Sequence, residues 1–139
     1  GIFDMKGLVA EGQKIGLATD TGGGSSFSML RTMAAAYELG QLNGGAIHPA
    51  QLLWLATEGS ARVLHLDGVI GRLAPGAEAD LVVLDLSSTP AIAQRAVRAE
   101  TLWEAVFPTI MMGDDRAIRA VWVAGRLNDR QQTRATSST

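Results

Sequence analysis

The residues best suited to chemistry stand together between a short apolar segment and a predicted helix. Asp20 follows Ile15–Thr19, an apolar run that predicts a buried β-strand, and Gly22, Gly23 and Gly24 come soon after it. In α/β folds a carboxylate at the carboxyl end of a strand projects into a cleft, and glycines let a substrate approach the backbone. From spacing alone a second interpretation is equally good: Asp20 caps a turn, and the glycines only permit positive φ angles.

A third interpretation of the glycine-rich segment Thr21–Gly24 is an anion nest, in which backbone N–H groups and a helix amino terminus hold a phosphate. It is the weakest of the three, because the segment has neither a P-loop lysine nor the G-x-G-x-x-G spacing. Asp20 is therefore the principal candidate for chemistry here.

The other polar candidates are predicted to have structural roles. His48 and His65 belong to no H-x-H or H-E-x-x-H pattern and flank a predicted helix, so we expect capping or solvent exposure rather than metal binding. Asp114-Asp115-Arg116 predicts a solvated turn with a local ion pair. The three tryptophans lie on apolar elements, which favours the core over a stacking platform: Trp54, Trp103 and Trp122.

Helices are predicted for most of the first half of the chain. A short one spans Met5–Glu11 and stops at Gly12. A second runs from Phe27 to about Leu39 after an N-cap at Ser25 or Ser26. A third begins at Pro49, a favoured first helical position, runs to about Leu64, and is apolar nearly all round, which predicts burial on several sides. Its small residues form a stripe that another element could approach closely: Ala56, Gly59, Ser60 and Val63.

The second half mixes strands and helices. Val69-Ile70, a Pro75-Gly76 turn and Ala79–Asp85 predict a hairpin-like unit that ends in a buried strand. Ile118–Ala124 predicts another strand, with Gly125 in a turn. Between these strands lie two predicted helices, Ala91–Ala99 and Leu102–Met112, the latter interrupted at Pro108, and the polar tail Arg130–Thr139 is expected to be disordered.

Composition narrows the class of protein. The chain has 139 residues, 47% of them hydrophobic and 19% charged, with a formal net charge of -2 and no basic cluster. This argues for a packed domain and against nucleic-acid binding. The apolar runs are too short to span a membrane. The chain contains no cysteine, which excludes disulfides, thiolate metal sites and a cysteine nucleophile, and a cytoplasmic protein is expected.

Two segments resemble a known superfamily. Gly71–Asp85 is similar to the G-x-L-x-P-G-x-x-A-D-L-V-V-L-D signature of amidohydrolases, and Val121–Gly125 resembles their closing V-x-V-x-G strand. Gly16–Met33 is very similar to the G-L-G-T-D-x-G-G-G-x-S-F-S-M-L-x-T segment of guanine deaminases, apart from Ala18 where a glycine is usual. Phe3-Asp-Met5 and Met112–Arg116 also look like that family.

The resemblance implies a catalytic role for Asp20. In these enzymes the aspartate after the eighth barrel strand sits at a single zinc ion and helps to deprotonate the attacking water, and Asp20 matches it. Zinc lowers the pKa of bound water to about 7, a carboxylate relays the proton, and hydroxide displaces the exocyclic amine of guanine as ammonia. Backbone approach of the substrate at Gly22–Gly24 is a further expectation.

The same resemblance implies a partial catalytic unit. We expect an α/β fragment: residues 1–66 as the last β/α unit of a (β/α)8 barrel, 67–127 as part of the small β-sandwich, and 128–139 as the tail. The other zinc ligands of the family have no match here, so the chain alone is expected to be inactive, to retain no zinc and to self-associate or form homo-oligomers. Alternatives are another amidohydrolase that deaminates a purine, pyrimidine or triazine, or a non-catalytic α/β module that binds a partner.

Overall fold

The computed structural model of the protein describes residues 3–128, in which a group of helices packs beside a three-stranded antiparallel sheet. The helices are α1 (Met5–Ala10), α2 (Met29–Leu42), α3 (Pro49–Trp54), α4 (Ser60–Val63), α5 (Pro90–Ala96) and α6 (Leu102–Met112). The strands are β1 (Leu81–Leu84), β2 (Ile118–Val123) and β3 (Arg126–Leu127). A π-helical turn (Leu55–Gly59) joins α3 to α4, and a 3₁₀ turn (Asp115–Ala117) precedes β2. The predicted tail Arg130–Thr139 lies outside the described residues.

The hydrophobic core lies where α2, α3 and α6 meet. Its buried members are Leu30, Met33, Ile47, Leu52, Val106, Ile110 and Ala117. They come from both sides of the predicted boundary between residues 66 and 67, so a single cluster of apolar side chains joins the two segments. The half-buried side chain of Leu17 packs against this core and anchors the segment that leads to Asp20.

The helix predicted from Pro49 to about Leu64 is confirmed, with a π-helical turn at its centre that the sequence pattern did not indicate. His48 supplies the N-cap, because its side chain accepts a hydrogen bond from Ala50 N–H. At the other end the N–H groups of His65 and Leu66 donate to the carbonyls of Arg62 and Ala61, the pattern of a Schellman motif. Local signals at both ends therefore set the length of this helix.

The two predicted strands pair with each other in the sheet, but the burial predicted for the first was wrong, since Val82 and Val83 of β1 are exposed. β1 runs antiparallel to β2, with Leu81 opposite Trp122, and β2 turns into β3 through Ala124 and Gly125. Both turn residues have positive φ angles, 49° and 74°, as a type I′ hairpin turn requires. The Asp80 carboxylate accepts a hydrogen bond of 2.8 Å from Ala124 N–H. The sequence motifs that contain Asp80 and Gly125 thus form one hydrogen-bonded unit.

Two helix predictions were wrong in detail. α2 begins at Met29 with Ser28 at its N-cap, because the Ser26 hydroxyl accepts from Ser28 N–H at 3.0 Å and holds the preceding residues in a local turn. α6 continues through Pro108 without interruption. A proline removes one helical hydrogen bond, and burial of its neighbours Thr109 and Ile110 outweighs that loss.

Other boundaries are close to prediction. α1 ends one residue early, at Ala10, before Gly12 with its positive φ of 79°. α5 ends at Ala96 rather than at Ala99, and single turns follow it. Within residues 3–128 no helix combines the length and apolar character needed to cross a bilayer.

Candidate functional site

Ile15–Thr19, predicted as a strand, belongs to no helix or strand of the structure. A β-strand is defined by hydrogen bonds to a neighbouring strand, and residues 3–128 place no strand beside this segment. The Leu17 backbone is bonded to the long helix, whereas the backbone groups of Gly16 and Ala18 make no hydrogen bond within the described range. The strand predicted for Ile15–Thr19 is therefore not formed among the described residues.

Asp20 begins a tight turn whose shape depends on the glycines. Its φ angle is 49°, and its carbonyl oxygen accepts hydrogen bonds from Gly23 N–H at 3.0 Å and Gly24 N–H at 2.5 Å. Gly22 has a φ of 112°, a conformation that side chains disfavour. A Cβ on Gly24 would overlap the carbonyl oxygen of Thr19. The interpretation of these glycines as turn formers is confirmed.

The Asp20 carboxylate is not used by this turn. It lies against Gly23, where a Cβ would come within 2.7 Å of Oδ2, and the residue is exposed. No residue between 3 and 128 donates a hydrogen bond to the carboxylate, and the turn is closed by the Asp20 carbonyl instead. On either side Thr19 and Thr21 bring their hydroxyls within 3.1 Å of each other. An exposed carboxylate without partners is free to bind a cation or to accept a proton.

The residues present do not fit a zinc site on their own. Within residues 3–128 no three His, Cys, Asp or Glu side chains come together in a way that could hold a metal ion, and zinc requires at least three protein ligands. His48 Nδ1 accepts from Ala50 N–H at 3.2 Å, and its ring meets Trp103 edge-on at 5.8 Å. His65 terminates the long helix with a φ of 59°. Both histidines have the structural roles predicted for them.

Asp114 and Arg116 form the predicted ion pair on the surface. The guanidinium is bound through two nitrogens, with Nη2 2.6 Å from Asp114 Oδ2 and Nε 3.0 Å from Oδ1. The side-chain hydrogen bond from Arg116, helped by the Arg116 N–H, holds the pKa of Asp114 below its usual 3.8. The pair stabilises the turn before β2, and nothing in its geometry points to a ligand.

The prediction that the tryptophans lie in the core was wrong for two of them. Trp54 is 39% exposed and lies beneath the Arg62 guanidinium, 5.4 Å from the ring centroid. Trp103 is 37% exposed against His48. Trp122 is half-buried in β2. A large aromatic ring can occupy an apolar position of a helix and still expose one face to solvent. The spacing of apolar residues does not distinguish this partial burial from full burial.

Ser60 is the functional candidate that the sequence pattern missed. It belongs to the predicted small-residue stripe, and that stripe does meet another element closely, since a Cβ on Gly16 would lie 2.7 Å from Ser60 Cα. Its hydroxyl also makes hydrogen bonds to the backbone of Leu17, three residues before Asp20. The available signal was a hydroxyl next to Gly59 in the small-residue stripe of this helix.

An apolar cavity of about 220 Å³ lies between α1, the segment Ile15–Leu17 and α2. Met5, Leu17, Ala36 and Ile47 are among its lining residues. Neither Asp20 nor the three glycines line this cavity, so it does not contribute to the candidate site.

Comparison with known proteins finds guanine deaminases among the proteins similar to this chain. The guanine deaminase of Escherichia coli is 39% identical over 127 residues, which are 91% of this chain and 29% of that protein. Its solved structure superposes with a TM-score of 0.87 at 38% identity, covering 91% of this chain and 30% of that one. A probable guanine deaminase of Deinococcus radiodurans is 35% identical over 90% of this chain and 29% of its own length. The chain thus spans less than a third of these relatives.

A more distant structure has the same fold in this region. An adenosine deaminase from Xanthomonas campestris, solved with bound zinc, is 26% identical with a TM-score of 0.58, covering 73% of this chain and 22% of its own. The model of the amidohydrolase family matches residues 1–127. The chain therefore belongs to the amidohydrolase family.

Proposed function

We propose that the chain is the carboxyl-terminal portion of a guanine deaminase, which hydrolyses guanine to xanthine and ammonia. The observation that carries this proposal is the Asp20 carboxylate, exposed and without a hydrogen-bond partner within residues 3–128, on a glycine turn inside the segment that resembles guanine deaminases. Similarity to the guanine deaminases over some nine-tenths of the chain supports the same choice. In this arrangement residues 1–66 belong to the last β/α unit of the barrel and 67–127 to the small β-sandwich.

The chemistry assigned to Asp20 is proton transfer. Water adds to the ring carbon that carries the exocyclic amine of guanine, a carbon–oxygen bond forms, and the carbon–nitrogen bond breaks. Asp20 accepts a proton from the water and returns it to the departing nitrogen, which leaves as ammonia. A positioned carboxylate contributes about 10²- to 10⁴-fold to such a step. The glycines leave the turn without side chains, so a planar purine could approach its backbone.

We propose zinc binding only for the complete enzyme that contains this chain. The described residues of this chain offer Asp20 as a single ligand, and the remaining ligands would come from residues outside it. A carboxylate beside a metal-bound water is well placed to accept its proton.

The experiment is a substrate comparison on the complete enzyme that contains this chain. Guanine, adenine, cytosine and an aminotriazine are each supplied, and product is followed by ultraviolet absorbance and by ammonia release. We expect kcat/KM for guanine to exceed that for every other substrate by at least ~10²-fold. Preference for another substrate would identify a different amidohydrolase deaminase, and absence of turnover on all four would favour a non-catalytic module.

A further inference from the structure

The hydroxyl of Ser60 binds the backbone of the segment that leads to Asp20. The hydroxyl oxygen lies 2.9 Å from the Leu17 carbonyl oxygen and 2.8 Å from that of Leu55, so these two acceptors share its one hydrogen. The same oxygen accepts from Leu17 N–H at 3.1 Å, and the Leu17 N–H also donates to the Leu55 carbonyl at 3.0 Å. The Leu17 N–H is therefore bonded to the long helix, and the Leu17 carbonyl shares the Ser60 hydrogen with Leu55.

The pairing is made at the π-helical turn. In an α-helix the carbonyl of Leu55 would accept from the N–H group four residues later. A π turn lengthens that spacing to five residues, and here the Leu55 carbonyl also accepts from the Leu17 N–H. Leu55 opens the turn and Ser60 follows it directly, so one carbonyl and one hydroxyl face Leu17 together.

The fit between helix and segment is too close for larger residues. A Cβ on Gly16 would lie 2.7 Å from Ser60 Cα and 2.8 Å from its hydroxyl oxygen. A Cβ on Gly59 would lie 3.1 Å from the carbonyl oxygen of Ile15. Backbone therefore packs directly against backbone here, and the position of Leu17 is fixed by contact as well as by hydrogen bonds.

Leu17 is the last point at which the described residues hold this segment before Asp20. Within residues 3–128 the backbone groups of Ala18 and Thr19 make no hydrogen bond, and the turn that follows is bonded to itself and, through the Thr21 hydroxyl, to the Thr19 side chain. We propose that Ser60 is a positioning residue for Asp20, fixing the segment through Leu17 so that the carboxylate is presented at a constant place. This inference rests on the proposed function, because it assigns Asp20 the proton transfer.

The test is a set of variants in the complete enzyme. Ser60→Ala removes the hydroxyl at almost constant size, and kcat for guanine should fall about tenfold while KM changes less than about twofold, because misplacing a catalytic group affects the chemical step. Ser60→Cys, with its weaker S–H donor, should lie between wild type and Ser60→Ala. The matched control is Thr57→Val on the same helix. The Thr57 hydroxyl donates only to carbonyls of that helix, Leu53 at 2.7 Å and Trp54 at 3.5 Å. The kcat of this variant should stay within about twofold of wild type.

A double-mutant cycle separates positioning from general stability. In an Asp20→Asn background, Ser60→Ala should lower kcat by less than about twofold further, because the group that it positions is already inactive. A full tenfold loss in that background, or a Ser60→Ala enzyme with wild-type kcat, would overturn the proposal.

Amide hydrogen exchange distinguishes failure of the positioning role of Ser60 from failure of the proposed function. The Leu17 amide hydrogen should exchange at least about fivefold faster in Ser60→Ala and at the wild-type rate in Thr57→Val. This result does not depend on which substrate the enzyme accepts. A wild-type enzyme that does not deaminate guanine would remove the proposed function, whereas unchanged exchange at Leu17 would remove Ser60 as its anchor.

Discussion

At the scale of single residues, Asp20 combines two interpretations that the sequence left open. The turn interpretation holds for the backbone, since the Asp20 carbonyl closes the turn and the glycines are needed sterically. The side chain takes no part in closing it and is available for chemistry. Sequence spacing could indicate the position of Asp20. It could not indicate whether the backbone carbonyl or the side-chain carboxylate of Asp20 closes the turn, because both kinds of turn use the same residues.

Asp20→Asn in the complete enzyme tests the chemical role directly. The change is isosteric but removes the negative charge and most of the basicity, so turnover of guanine should fall at least ~10²-fold. Folding should be retained, and the affinity for guanine should change less than turnover. Steady-state kinetics and circular dichroism measure these outcomes. A folded variant with turnover within a few-fold of wild type would show that Asp20 only shapes the turn.

Asp114 provides a pH prediction that is independent of catalysis. Its pKa is held below 3.8 in the folded chain by Arg116, so the pair contributes stability above the unfolded pKa near 3.8 and loses it as the pH falls through the lower folded value. In a carboxyl titration by nuclear magnetic resonance, the midpoint of Asp114 should lie below 3.8 in wild type and return towards it in Arg116→Gln. Identical midpoints in the two proteins would contradict the assigned cause.

At the scale of elements, prediction succeeded where the signals are local. Pro49 and the apolar run after it gave the bounds of the long helix, and the motifs around Asp80 and Gly125 gave two strands of the sheet. The π-helical turn was not predictable, since it accompanies a contact with Leu17, which is distant in sequence. The continuation of α6 through Pro108 was missed for the same reason: tertiary burial overrides a local preference.

Two threonines, Thr109 within α6 and Thr101 at its N-cap, should respond in opposite directions to loss of the hydroxyl. Thr109 is 0% exposed, and its hydroxyl has no hydrogen-bond partner within the described residues. Thr109→Val should therefore stabilise the chain by about 1 kcal/mol. Thr101 caps the helix by accepting from Glu104 N–H at 3.3 Å, so Thr101→Val should cost about 1 kcal/mol.

Urea midpoints at one fixed protein concentration compare these variants with wild type. Because the two substitutions are chemically the same, each serves as the control for the other. Equal shifts of the urea midpoint in the same direction would contradict the prediction. They would mean that the hydrogen-bond partners of the two hydroxyls do not determine how much each hydroxyl contributes to stability.

At the scale of the whole molecule, the surface contains unusually exposed apolar residues. Phe27 is 84% exposed, Leu73 is 74% exposed and Val97 is 87% exposed. Gly16 and Ala18 add backbone groups without partners among residues 3–128. Exposed apolar side chains and unpaired backbone groups favour association between chains.

The isolated chain should consequently self-associate. Sedimentation velocity should show species larger than a monomer, with a proportion that rises with protein concentration. Replacing exposed Phe27 by Ser should reduce this proportion without unfolding the chain. A well-behaved monomer at all concentrations, with Leu17 bonded to the long helix as described, would contradict the expectation.

Metal content gives a separate prediction for the isolated chain. Because its described residues bring together no set of three metal-binding side chains, the purified 139-residue chain should retain no stoichiometric zinc and should not deaminate guanine. Elemental analysis after dialysis and an ammonia-release assay measure both properties. One tightly held zinc per chain together with guanine turnover would show that these residues suffice for a site.

The π-helical turn between Leu55 and Gly59 also constrains how this sequence can change in length. A π turn contains about one residue more than an α-helical turn. Deleting one residue from it would therefore restore regular α-helix while leaving α4 in nearly the same rotational phase. Each residue of an α-helix advances the side chains by about 100° around its axis. A deletion within α3 would consequently rotate every later side chain of the helix by that angle, and Ser60 would no longer face Leu17. The sequence can thus lose a residue at the turn far more easily than in the regular helix before it.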